Sequence, residues 1–302
     1  MASTLPDSDS QLALSRAVSP LGFPTLSRSY ALRSFLAHPL RITARLLWLL
    51  AELVFAAFRF VFTVGFRRGF LGLKARARWL QAGCQRVLRT FGAEVRSLGP
   101  VPSRGLLVSN HLSYLDILVL GALTPSIFIA KRDVKNWPIL GWFARLAGTL
   151  FADRERRTQV GPLTNAMRTC LDGGALVVLF PEGTSSDGRT VLPFKSSLLE
   201  PAATDSHPVC VSLIHYRLED GDAGEEVCYW KDMTFFPHLI NLLGKRGVEA
   251  CVCFSDLQVS GMNRKELASQ LHSEALKLKE TAVGLRKNSE LTRSRTGLVV
   301  LT

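Results

Sequence analysis

Leu106-Leu107-Val108-Ser109-Asn110-His111-Leu112-Ser113-Tyr114-Leu115-Asp116 is the stretch from which the rest of the chain is read. Its opening residues are apolar, as in a buried strand. The run ends in Asn-His, and a carboxylate follows five residues after the His. α/β folds place their chemistry beyond the carboxyl ends of their strands, where His111 falls. Imidazole accepts a proton from a hydroxyl near neutral pH, best when a carboxylate fixes its tautomer. On one straight helix five residues span about 140° and point the two side chains apart. The spacing therefore predicts His111 in a turn before a helix, with Asp116 one turn inside and reaching back. For an isolated H-x4-D, a helix-capping His and a solvated Asp would be the better reading.

A second stretch weighs against that bland reading. Ala175–Phe180 has the pattern of another buried strand and runs into Pro181-Glu182-Gly183-Thr184-Ser185-Ser186-Asp187-Gly188. Pro181 ends the strand, and Gly183 lets backbone approach a ligand closely. By itself this is a polar turn. Between the two stretches, Gly148-Thr149-Leu150-Phe151-Ala152-Asp153-Arg154 reads as a strand ending in an Arg. After them, Lys195 stands near an expected helix start. An Arg at a strand end and a helix N-terminus together suit a phosphate or another acid.

Outward from these sites the pattern alternates. Strands are expected at 105–109, 126–130, 149–152, 175–180, 209–216 and 248–254. Helices are expected at 113–122, 137–147, 158–172, 195–202 and 263–281, with a polar loop at 221–226. This is an α/β fold, a mostly parallel sheet covered by helices. The six Cys are scattered and read as buried thiols of a reducing compartment, not disulfides or metal ligands.

The N-terminal third differs. Residues 1–98 carry fourteen Lys/Arg and four Asp/Glu, whereas the other 204 residues are almost neutral, out of a net +12. An uneven basic balance points to an anionic surface. The basic residues alternate with Leu, Phe, Trp and Val, and no nucleic-acid motif is present, so a membrane is favoured over nucleic acid. Residues 1–40 carry no signal-peptide pattern and are expected to be loosely ordered. Leu46–Phe66 is long enough to span a bilayer, but Glu52 and Arg59 bring its insertion close to balance. With basic residues at both ends, a helix lying in one leaflet fits as well as a span. Leu73, Ala77, Leu80, Cys84, Val87, Leu88 and Phe91 then share one helical face, opposite Lys74, Arg78, Arg86 and Arg89, with Trp79 near an edge. That suits a helix lying on anionic lipid, the alternative being a helix packed on the domain. The organisation expected is a loose segment 1–40, membrane-anchoring helices 41–93, a catalytic domain 94–285 and a flexible tail 286–302.

Asn110-His111-x4-Asp116, Gly148-x2-Phe151-x2-Arg154, Phe180-Pro181-Glu182-Gly183-Thr184 and His207-Pro208-Val209, in that order, resemble the four blocks of the glycerolipid acyltransferases, the family of bacterial 1-acylglycerol-3-phosphate acyltransferase. The resemblance spans about residues 70–260, and the N-terminal hairpin resembles that family's membrane anchor. It implies that His111 is a general base for the acceptor hydroxyl, and that Asp116 orients it. The hydroxyl then attacks an acyl thioester directly, so the substrate supplies the oxygen that a hydrolase takes from Ser. The resemblance also places Asn110 at the acceptor-binding site, positioning the His turn, and implies head-group binding by Arg154, Glu182, Gly183 and Thr184, with Lys195 assisting. It implies acyl-CoA or acyl carrier protein as donor, no cofactor and no metal. The partners it implies are a lysolipid and an anionic membrane, and the location is the cytoplasmic face of the inner cell membrane.

Two positions depart from the family pattern. Many phosphate-specific members carry Arg where Ser185 stands, and Ala152 replaces a branched aliphatic residue. The segment 182–198 looks more like members that acylate lyso-ornithine lipid. Lysophosphatidate is thus the default acceptor by family frequency, and lyso-ornithine lipid or another lysolipid the alternative. A lipid hydrolase would need a nucleophile elbow, and no Gly-x-Ser-x-Gly occurs. A non-catalytic lipid-binding scaffold would be signalled by loss of His111 or Asp116, and both are present. His38, His207, His215, His238 and His272 receive no role. Trp137 and Trp142 read as core packing rather than as an acyl groove.

Overall fold

A computed structural model describes residues 34, 36–65, 69–153 and 160–291. Arg154, the Arg67-Arg68 pair and the segments 1–33 and 292–302 lie outside the described residues. Helices α1 (Pro39–Thr63) and α2 (Gly69–Thr90) come first. There follow β1 (Ala93–Leu98), β2 (Gly105–Ser109), α3 (Leu115–Leu123), β3 (Ser126–Lys131), a 3-10 turn (Arg132–Asn136), α4 (Leu140–Ala147) and β4 (Leu150–Ala152). The chain continues with α5 (Val160–Asp172), β5 (Leu176–Leu179), α6 (Glu200–Thr204), β6 (Val209–Leu218), α7 (Ala223–Glu226), α8 (Phe235–Gly244), β7 (Val248–Leu257) and α9 (Arg264–Leu291).

The seven strands form one sheet in the order β1-β7-β6-β2-β5-β3-β4. All neighbours are parallel except β6 and β7. Successive residues of β2 and β5 point to opposite faces, and both faces are covered, so Leu106–Val108 and Leu176–Leu179 are apolar throughout. Leu107, Phe128 and Val178 face one core, with Cys84, Leu88 and Leu120 from α2 and α3. Leu106, Val108, Ile127 and Val177 face the other, with Met167 of α5 and Leu267 and Leu271 of α9. The α/β class and the mostly parallel sheet are as expected. The six Cys are free; five are buried and Cys251 is partly exposed.

Several elements differ from the sequence reading. β1 was not anticipated, because Glu94 and Arg96 interrupt its apolar alternation. Their charges are met laterally, Arg96 pairing with Glu94 at 2.8 Å and with Glu249 of β7 at 3.2 Å. α8, also missed, is a short apolar helix that periodicity alone does not separate from a buried strand. The loop expected at 221–226 contains α7, whose N-cap Asp222 accepts from the Glu225 amide at 3.1 Å. The helix expected at 195–202 forms only from Glu200. Pro201 lacks an N–H and is tolerated in a first helical turn, not in an interior. Pro138 similarly delays the helix expected from 137 until Leu140. α9 runs to Leu291, past residue 285.

The apolar face of α2 packs on protein, the alternative the sequence left open. Trp79, Cys84, Leu88 and Phe91 are buried, and the Trp79 Nε1–H donates to the Ala56 carbonyl of α1 at 2.8 Å. Arg86 forks onto Glu52 at 2.5 and 3.0 Å, and the Trp48 indole N–H adds a third donor to that carboxylate at 2.9 Å. Periodicity reveals an apolar face but not whether protein or lipid covers it; here α1 and α3 do.

α1 begins at Pro39, seven residues before the apolar run suggests. Its first turns carry Arg41 and Arg45, which donate to the carbonyls of Gly244 (2.8 Å) and Leu243 (3.1 Å). Those carbonyls lack partners at the C-terminal end of α8, and the cations offset the negative end of its dipole. The opposite side of α1 is bare. Leu40, Leu47, Val54, Phe58 and Phe62 are 86, 62, 71, 61 and 66% exposed, a continuous apolar stripe.

Candidate active site

β2 delivers the site. Its ladder with β6 ends at Ser109–Ser212. Asn110 then continues it with a side chain. The Asn110 Nδ2 donates to the Ile214 carbonyl at 3.0 Å, and its Oδ1 accepts from the Ile214 amide at 2.7 Å. The backbone is thereby released to turn while staying tied to β6. Asn110 is buried, and both ends of its amide are occupied by β6, so it holds the His111 turn in place.

His111 stands in that turn, and α3 begins at Leu115 with Asp116 in its first turn. The predicted reach-back is present, with His111 Nδ1 2.7 Å from Asp116 Oδ2. The same oxygen accepts from the amides of Leu112 (2.6 Å) and Ser113 (3.0 Å). The other oxygen, Oδ1, accepts from the Tyr216 hydroxyl at 2.7 Å. Asp116 is fully buried, whereas the His111 side chain is 24% exposed. A carboxylate only accepts, so Nδ1 carries the imidazole proton and Nε2 presents a lone pair. The ring stacks on Phe180, with centroids 4.4 Å apart.

The loop after β5 closes over this turn. Ser186 donates its amide to the His111 carbonyl at 3.0 Å, and Tyr229 donates its amide to the Leu112 carbonyl at 2.8 Å. Gly183 adopts φ +78°, a backbone conformation that disfavours any side chain. Thr184 is exposed. Ser185, the departure from the phosphate-specific pattern, donates its hydroxyl to the Tyr229 carbonyl. From α9, the Lys279 ammonium donates to the Gly188 carbonyl at 3.0 Å and also to that of Arg189.

Glu182 is 3% exposed, and both its carboxyl oxygens are buried without a hydrogen bond of ordinary geometry. Burial pushes its pKa up to about 8. The nearby amides of Leu192 and His111 oppose that shift, the Asp116 charge adds to it, and Lys279 pulls it back.

The structure thus brings together His111, Asp116, Glu182 and Gly183. Lys195 is exposed and lies five residues before α6, so it does not stand at a helix start. Its amide donates to the Pro181 carbonyl at 3.0 Å. Arg154 lies outside the described residues. Asp153 before it accepts from Arg132 Nη1 at 2.6 Å. The residue that sequence reasoning missed is Tyr216. Its only signal was a Tyr near the end of an apolar strand, a hundred positions from its partner. Among the remaining His, buried His238 pairs with the Tyr114 hydroxyl at 2.9 Å, and burial lowers its pKa to about 4. His207 lies 3.2 Å from Asp172, a pair that sequence separation concealed.

Residues 93–212 match the family described as Acyltransferase. The chain is 35% identical over 216 residues to a lyso-ornithine lipid O-acyltransferase of Rhizobium meliloti, spanning 66% of this chain and 74% of that one. It is 37% identical over 151 residues to a 1-acyl-sn-glycerol-3-phosphate acyltransferase of Neisseria gonorrhoeae, covering 47% of this chain and 59% of that one. In fold it is similar to the crystal structure of a 1-acyl-sn-glycerophosphate acyltransferase of Thermotoga maritima. That likeness has a TM-score of 0.58 at 20% identity, over 87% of this chain and all of the other.

Proposed function

The chain belongs to the acyltransferase family, and on that premise we propose that it esterifies a lysolipid hydroxyl with a fatty acyl group from acyl-CoA or acyl carrier protein. The observation that carries this reading is His111, held by Asp116 through Nδ1 at 2.7 Å with its far nitrogen free to accept a proton. As the acceptor oxygen attacks the thioester carbonyl carbon, His111 Nε2 takes the hydroxyl proton. The C–S bond breaks, and the imidazolium returns that proton to the departing thiolate. The products are an ester and a free thiol. Asp116 fixes the tautomer and stabilises the transient imidazolium. Glu182, Gly183 and Thr184 border the acceptor, and Arg154 is assigned to its head group.

For the acceptor, we favour lyso-ornithine lipid over lysophosphatidate. Two points support this: a relative matched over 66% of the chain carries that activity in its name, and Ser185 departs from the Arg that many phosphate-specific members carry by the resemblance drawn from the sequence. Thioester consumption by detergent-purified protein, with both acceptors offered side by side and His111→Ala as control, tests the choice. Preference for lyso-ornithine lipid is expected. Preference for lysophosphatidate would overturn the assignment of acceptor but not that of the base.

The bare stripe of α1 supports docking to a membrane, and Ile139, Trp142 and Phe236 are further exposed apolar residues at 55, 45 and 70%. We assign α1 to one leaflet of the cytoplasmic face, its apolar side in lipid. Each apolar side chain so buried contributes about 1.5–3 kcal/mol. The triple variant Val54→Glu, Phe58→Glu, Phe62→Glu should therefore bind anionic vesicles at least 100-fold more weakly in sedimentation. High salt alone should release the wild type only in part. Unchanged binding by the variant would place the membrane contact elsewhere.

A further inference from the structure

We propose that Tyr216 is a positioning residue for acyl transfer, setting the orientation of the Asp116 carboxylate and, through it, of His111. The inference rests on the assignment of His111 as the base.

The two Asp116 oxygens are held unequally. Oδ2 receives His111 Nδ1 and the amides of Leu112 and Ser113, all from the turn that Asp116 closes. Oδ1 receives the Tyr216 hydroxyl, from a different element. Local turn geometry can fix one oxygen, but rotation about the Cβ–Cγ bond is arrested only when the second is also held. Without that arrest the carboxylate plane, and with it the imidazole, is free to swing. An unpaired, buried Oδ1 would also draw more strongly on the one partner able to move, the His111 N–H.

Tyr216 is built for the task. It is 3% exposed at the C-terminal end of β6, and its position is set two residues earlier, where Asn110 grips both backbone groups of Ile214. Ser212, Ile214 and Tyr216 share one face of the strand. The path from β2 through Asn110, β6 and Tyr216 to Asp116 and back to His111 is therefore a closed ring of short hydrogen bonds. Tyr114, nearby, donates to or accepts from His238 instead and does not serve Asp116. The titratable groups facing Asp116 are His111 from its own turn, Glu182 from the loop after β5, Cys228 from the segment after α7, and Tyr216 from β6. Tyr114 faces Tyr216 from behind. Burial beside the Asp116 charge holds the Tyr216 phenol protonated, so it remains a donor across the working pH range.

Tyr216→Phe removes the oxygen and keeps the ring. The expected result is a kcat lower by about tenfold with the KM of both substrates unchanged. The acid limb of the kcat/KM profile should move up by about half to one pH unit, because the under-bonded carboxylate holds the imidazolium proton more tightly. A merely structural role would lower the folded fraction without moving that limb. His111→Ala is run beside it. Loss of turnover there with an unmoved limb in Tyr216→Phe overturns the proposal alone. Retained turnover in His111→Ala overturns the base assignment and this proposal with it. If Tyr216→Phe does not fold, protein containing 3-fluorotyrosine, with Tyr30, Tyr114 and Tyr229 replaced by Phe, gives the reverse test. Its stronger phenol donor should move the limb to lower pH, and an unmoved limb overturns the proposal.

Discussion

His111→Ala should lower kcat by about 10³-fold, within the range that a positioned acid–base group contributes, and leave the fold intact. The side chain is partly exposed, so its removal opens no sealed cavity. Asp116 keeps the Leu112 and Ser113 amides on one oxygen and Tyr216 on the other, so the buried carboxylate is not orphaned. Phe180 loses its stacking partner, a cost of about 0.5–1.5 kcal/mol. Asp116→Asn is the informative companion. An Asn amide must offer N–H groups where His111, Leu112, Ser113 and Tyr216 all present donors. It would favour the imidazole tautomer with the proton on Nε2, which cannot accept from a hydroxyl. A kcat loss of similar size, about 10³-fold, is expected, together with lower stability. Thioester release and thermal unfolding measured on the same preparations separate the two effects. A His111→Ala protein retaining a tenth of wild-type turnover would remove the imidazole from the chemistry.

The His–Asp pair was legible because its geometry is local. Five residues across a turn and a helix start leave one way for the side chains to meet, and they meet that way at 2.7 Å. The central strands were legible because both faces of β2 and β5 are buried and the sequence from Leu106 to Val108 and from Leu176 to Leu179 is apolar throughout. What stayed hidden depends on contacts between distant segments. Tyr216 reaches Asp116 only after β6 has been laid beside β2. Asn110, which sits beside the His of a binding motif, is taken by β6 rather than by ligand. The covered face of α2 and the bare stripe of α1 have similar periodic patterns; the order of packing, not the pattern, decides which meets protein. Glu52, a charge that counted against burial in the apolar run, is answered by Arg86 of the following helix.

Glu182→Gln should change how stability depends on pH, by up to about 4 kcal/mol between pH 5 and 9, since each pKa unit is worth about 1.4 kcal/mol. In the folded chain Glu182 keeps its proton up to about pH 8; a free Glu loses it near 4.5. The folded chain therefore binds more protons than the unfolded chain across that interval, and stability falls as pH rises. The contribution is fully present below about 4.5 and is lost as pH climbs through about 8. Gln is isosteric and neutral at every pH, so its unfolding temperature should lack this slope. At about 2–4 °C per kcal/mol for a domain of this size, the difference in Tm between variant and wild type should grow by about 10 °C from pH 5 to pH 9. Parallel profiles would mean that Glu182 is already ionised in the folded state. The protonation state also bears on the acceptor. Beside Asp116, a neutral Glu182 adds no second negative charge to the site. An ionised one would repel a phosphate. The same variant therefore links stability to specificity: with Gln at 182, turnover on an anionic acceptor should persist above pH 8, where the wild type loses it.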